Sequence, residues 1–154
     1  MPVFDYEFEV DGPVELLSAF HRDTSVLHRL TPPPVFLRIH RFGAMAEGME
    51  AEFTMWVGPI PMRWEVIHRD VTELGFTDNA LSGPMKKWTH THRFEARDGG
   101  RSAVIEHIEY EHPPGLRGIL TRLMFSRPSL WGLFTYRRWV TRAGVRRLKL
   151  TAGR

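Results

Sequence analysis

Apolar and polar residues alternate over a first stretch at 2–10 (PVFDYEFEV) and six more in the middle of the chain. The six are 35–42 (VFLRIHRF), 50–57 (EAEFTMWV), 62–71 (MRWEVIHRDV), 73–81 (ELGFTDNAL), 85–96 (MKKWTHTHRFEA) and 102–111 (SAVIEHIEYE). Period-two alternation predicts half-buried strands. Turn residues separate them: Gly43 and Gly48, GPIP at 58–61, SGP at 82–84 and DGG at 98–100. Between the first strand and the rest, Asp11 is expected to cap a short helix over VELLSAFHR. Thr24 or Ser25 would cap a second, SVLHRL, which TPPP at 31–34 ends. Beyond Pro113 the pattern turns helical, and Pro128 either kinks one long helix or opens a second behind Arg127 or Ser126. Strands and helices in separate runs predict an α+β fold with an antiparallel sheet.

The alternation also sorts side chains onto faces. In GPMKKWTHTHRFE (83–95), Trp88, His90, His92 and Phe94 share one side of a strand. The matching phase elsewhere takes Val104, Glu106, Ile108 and Tyr110, then Met62, Trp64, Val66 and His68. It continues with Leu74, Phe76 and Asp78, and with Phe53, Met55 and Val57. Lys87, Arg93, Glu95, His107, Glu109 and Glu111 then point outward, as a solvated face requires. A three-residue hairpin loop at Asp98-Gly99-Gly100 sets Phe94 against Val104, His92 against Glu106, His90 against Ile108 and Trp88 against Tyr110. A two-residue turn would set inward residues against outward ones, so the faces themselves select the odd loop.

Composition narrows the picture. The 154 residues suit a single domain, 1–154, that is 42% hydrophobic and 25% charged. The absence of cysteine excludes disulfides, thiol catalysis and thiolate metal sites. No signal-like opening and no run of the ~18–20 apolar residues that would cross a bilayer is seen, so a soluble, cytoplasmic protein is expected. From Pro113 onward there are ten Lys or Arg and no acid, while residues 1–112 hold eleven bases against eighteen acids, a balance of −7. Such a split predicts basic helix residues lying over an acidic sheet, or a surface drawn to anionic membrane or an acidic partner. No nucleic-acid role is expected. Phosphate-cradling, nucleophile-elbow and HExxH motifs are all missing.

Several short strings carry a family resemblance: Thr31-Pro32, Phe76 and Asp78 ahead of Gly83-Pro84, and Trp88-x-His90-x-His92-x-Phe94. Gly99-Gly100, Glu106-x-Ile108-x-Tyr110, Pro113 and Gly115 follow in order. With the element order, these resemble the START-like (SRPBCC, helix-grip) superfamily, and within it small bacterial polyketide cyclase/dehydrase-like ligand-binding proteins. Members often carry aspartate where Glu106 stands. The resemblance implies a seven-stranded antiparallel sheet wrapped around a long C-terminal helix, with two short helices after the first strand. It also implies a cavity for a hydrophobic or amphipathic small molecule such as a lipid, isoprenoid or polyketide. Expected to line it are Phe53, Met55, Met62, Trp64, Val66, Phe76, Trp88, His90, His92, Phe94, Glu106, Ile108 and Tyr110. No cofactor and no metal is expected, and the protein would be a monomer or homodimer. A His92–Glu106 pair with His90 beside it can hold a ligand's polar group or, in a cyclase- or dehydratase-like enzyme, move a proton.

Overall fold

The computed structural model describes residues 1–153. Its sheet is seven-stranded and antiparallel in the order β1-β7-β6-β5-β4-β3-β2. The strands are β1 Val3–Val10, β2 Phe36–Arg41, β3 Glu50–Val57, β4 Ile60–Thr72, β5 Gly75–Ser82, β6 Lys87–Arg97 and β7 Arg101–Glu111. Two short helices, α1 Val14–Phe20 and α2 Val26–Leu30, follow β1, and α3 Gly115–Met124 and α4 Arg127–Ala152 close the chain. The β2–β7 meander is what successive alternating stretches with short turns produce. β1 then closes against β7, the last strand, from across the chain.

The β6–β7 hairpin has the expected register, with His92 opposite Glu106 and Trp88 opposite Tyr110. Its loop turns through Gly99 and Gly100 at φ +73° and +71°, a left-handed conformation that glycine adopts without strain. Elsewhere the expectations need correction. Asp11 does not cap α1: Pro13 holds the N-cap position, and the Asp11 carboxylate accepts from Lys149 Nζ at 3.0 Å. Ser25 holds the N-cap position of α2, but its side chain makes no capping bond. Leu74 is not an inward strand residue. Thr72 pairs with Gly75, which leaves Glu73 and Leu74 as an exposed two-residue turn. Of the two arrangements that Pro128 allows, the structure has the second: α3 ends at Phe125, and Ser126 caps α4 by accepting from Ser129 N at 3.3 Å.

Helix α4 lies across the concave face through Leu130, Phe134, Thr141 and Val145. Two apolar clusters form there. One gathers Trp64, Met85, Ile108, Tyr110, Phe125 and Phe134, the other Phe8, Leu17, Phe20, Phe76, Phe94 and Val145. Basic residues of α4 cover the outer edge of β1: Arg127 donates to Val3 O at 3.0 Å and Arg142 to Glu9 O at 2.8 Å. An edge strand capped in this way is closed to further pairing.

Helix α4 approaches α1 closely at Gly144, where an added Cβ would stand 2.2 Å from Phe20 Cε2. Gly144→Ala is therefore expected to destabilise the fold by roughly 1–3 kcal/mol, read as a lower urea midpoint. An unchanged midpoint would contradict this packing.

Candidate functional site

The sheet register builds a polar belt between the two apolar clusters. Direct cross-strand pairing puts His68 against Asp78 and Asp78 against His90 in one row. The next row pairs Phe76 with His92, His92 with Glu106, and Glu106 with Tyr6. Residues two apart on a strand share a face, so both rows point toward α4. The result is a checkerboard in which each carboxylate touches two imidazoles.

Glu106 Oε2 accepts from His90 Nε2 at 2.8 Å. His92 Nδ1 lies 2.8 Å from the same oxygen as a close ion pair, without the alignment of a hydrogen bond. Asp78 Oδ1 accepts from His68 Nδ1 at 2.5 Å, and its Oδ2 is 3.4 Å from His92 Nε2. An ionised carboxylate only accepts, so His90 carries its proton on Nε2. His90, His92, His68 and Glu106 are all buried, and the His90 and His92 rings lie tilted at 38° with centroids 3.9 Å apart.

Burial and charge divide these groups. Burial pulls the pKa of His90 down to about 4, and the neighbouring His92 cation adds to the effect against the pull of Glu106. His92 resists burial because Glu106 and Asp78 flank it, and its pKa stands raised to about 9. Burial would push both acids up, yet their histidines outweigh it: Asp78 is lowered, and Glu106 lies well below the ordinary carboxylate range. The belt thus sets a charged imidazole against a neutral one, an arrangement able to donate or accept a proton. One donor atom each from Asp78, His90 and His92 lies within 4.8 Å of the others, so these three have the spacing to hold a cation.

Beside the belt lies a cavity of about 120 Å³ between sheet and helices. Of the expected ligand residues, Phe53, Met55, Trp64, Val66, Phe76, Trp88, His90 and His92 line it. Met62, Phe94, Ile108 and Tyr110 are buried in the clusters without reaching its wall, and Glu106 sits behind the histidines it holds. The wall also includes residues that alternation did not bring to the site: His21 at the C-terminal end of α1, and Leu30, Leu133 and Arg137 from the helices. His21 Nδ1 donates to Leu17 O at 2.9 Å, and burial, then the His92 cation, lowers its pKa to about 4. Buried polar atoms without a partner remain at Trp64 Nε1 and His68 Nε2, both on residues of the cavity wall.

This combination of a curved sheet, a gripping C-terminal helix and a cavity between them is the helix-grip fold. Solved structures bear it out. An aromatase/cyclase from Streptomyces shares 12% identity over 95% of this chain and 94% of its own, with a TM-score of 0.73. A START superfamily protein from Mycobacterium smegmatis is 8% identical over 95% of this chain and 98% of that one, with a TM-score of 0.69. A nucleoside-diphosphate sugar epimerase from Corynebacterium glutamicum is 20% identical over 97% of this chain but only 30% of its own, with a TM-score of 0.67. No family model and no curated protein sequence matches.

The belt has a stability signature. His92 binds its proton more tightly folded than unfolded, so its contribution is complete below about pH 6.5 and fades as pH rises through about 9. His21 and His90 favour the fold while neutral, and that contribution disappears as pH falls from 6.5 toward 4. Urea denaturation across pH is expected to show greatest stability near pH 6.5, with His92→Gln removing the alkaline limb. Ring-proton NMR should place His92 near 9 and both His21 and His90 near 4, and a His92 midpoint below 6.5 would contradict the assignment.

Proposed function

We propose that this protein binds a hydrophobic or amphipathic small molecule, of the lipid, isoprenoid or aromatic polyketide kind, between its sheet and α4. The observation that carries this reading is the cavity itself. It is walled by Phe53, Met55, Trp64, Phe76, Trp88 and Phe134, with a few polar groups converging from one belt. Ligand sites have this makeup, a mostly apolar wall with a few fixed polar groups. A cyclase- or dehydratase-like reaction, with His90, His92 and Glu106 moving the proton, is supported by their contact and opposed charge states. Turnover of a polyketide substrate that Glu106→Gln abolishes would distinguish it from binding alone.

Native mass spectrometry of the purified protein is expected to reveal a bound apolar molecule. Saturation at a hundredfold excess over Kd should stabilise the fold by about 2.7 kcal/mol. Ala51, 2% exposed, is part of the cavity wall, so Ala51→Leu should fill the space and abolish uptake while the fold persists. Ligand retained by that variant would count against the cavity as the binding site.

A specific surface favours membrane docking as a second property. On α3, Leu116, Ile119 and Leu123 are 84%, 64% and 73% exposed and recur at helical spacing. Arg117 and Arg122 flank them without an ion-pair partner among the described residues, and no acid follows Pro113. An apolar stripe edged by free arginines suits an anionic bilayer surface. A second copy of the chain would bring arginine against arginine. Vesicles containing phosphatidylglycerol should sediment the protein at low salt, and Leu116→Glu with Leu123→Glu should release it. Equal sedimentation with pure phosphatidylcholine would contradict the docking.

A further inference from the structure

Most polar groups around the cavity are spoken for. Glu106 is held by His90 and His92, and Asp78 by His68 and His92. Among the described residues, Arg137 is the charged group of the cavity wall left without an ion pair. It reaches the cavity from α4, its Nε donates to Leu30 O at 3.2 Å, and its guanidinium stands 5.1 Å above the centre of the Phe134 ring. Neither of its Nη groups makes a hydrogen bond, and no carboxylate lies within ion-pair distance of it, among the described residues. Burial lowers its pKa, with Glu106 and Asp78 opposing from across the site.

A partly buried guanidinium without an anion is unfavourable in isolation. Its two free Nη groups form a planar fork that matches a carboxylate. The protein offers no carboxylate to fill it, because both nearby acids are already committed to histidines. The volume at this point is also informative. About 120 Å³ is somewhat less than an engineered apolar cavity of ~150 Å³ that takes up benzene, so the enclosed part of a ligand is one ring or a short branched chain.

We propose that Arg137 is the anchor for the acid group of the ligand, and that the cavity selects a compact organic carboxylate carrying one aromatic ring or a short apolar chain. This rests on the ligand-binding reading above and names the head group that reading leaves open. The carboxylate sits on the Arg137 fork, and the apolar part extends toward Phe53, Trp64 and Trp88. The unpartnered Trp64 Nε1 is then available to a polar substituent on the ring.

The test is a matched probe series measured by isothermal titration calorimetry: 3-phenylpropanoic acid, its methyl ester and 3-phenylpropylamine. The acid is expected to bind roughly 10- to 100-fold more tightly than the ester, the gain typical of hydrogen bonds to a charged group, and the amine more weakly than either. Arg137→Gln should bring the affinity of the acid down to that of the ester, and Arg137→Lys should restore part of the difference. The readout is the ratio of acid to ester within each variant, because Arg137 also lines the cavity and a general change in its shape affects both probes alike. Equal affinity for acid and ester, or an acid preference that survives Arg137→Gln, overturns the anchor and leaves the cavity reading intact. If neither acid nor ester binds the parent protein, the compact-carboxylate proposal falls, while the ligand-binding reading is decided separately by native mass spectrometry and by Ala51→Leu.

Discussion

The carboxylate of Glu106, buried at the centre of the concave face, constrains the rest of the site. A charge in that position is unfavourable by several kcal/mol unless it is paired and hydrogen-bonded. The sheet meets that demand through register. Pairing β6 with β7 sets His92 directly opposite Glu106, and the two-residue repeat of the strand brings His90 within reach of the same oxygen. His92 then needs its own second anion, which β5 supplies as Asp78, and Asp78 in turn engages His68 on β4. A slip of one residue in any of these pairings would turn the whole belt outward. The odd hairpin loop at Asp98–Gly100 is therefore a requirement of the site as much as of the fold.

How much of this was legible in the sequence depended on distance along the chain. The His92–Glu106 pairing could be read because a short glycine turn joins the two strands and fixes their register. Asp78 and His68 could be placed on the correct face by alternation, but their partners could not be named. β4 and β5 are offset by two register shifts, and residues 83–86 between β5 and β6 are not a regular turn. Leu74 was misplaced for a related reason: a tight turn interrupts an apparently continuous alternation. His21 and Arg137 come from helices on the far side of the cavity, where the spacing within one strand carries no information. The break at Ser126 depended on whether Pro128 sits inside a helix or in its first turn, and both fit the same residues.

The charge asymmetry resolves into separate uses. Arg127 and Arg142 close the edge of β1, and Lys149 meets Asp11, so part of the basic surplus on α4 holds the helix to the sheet. Arg137 turns inward. Arg117 and Arg122 stay free beside the exposed apolar stripe of α3. Because Phe125 lies in the cavity wall at the end of α3, the surface suited to a bilayer and the space suited to a ligand adjoin one another.

On the proposed function, Asp78, His90 and His92 serve as the polar part of the cavity wall, held in place by Glu106, and add little net stability. Buried ion pairs can often be replaced by apolar residues with no loss of stability, and sometimes a gain of 1–4 kcal/mol. The direct measurement is the urea unfolding free energy and ligand uptake of the quadruple variant Asp78→Leu, His90→Phe, His92→Phe, Glu106→Leu. The account predicts a protein as stable as the parent or more so, and unable to take up ligand. A variant that loses stability yet still takes up ligand would contradict it.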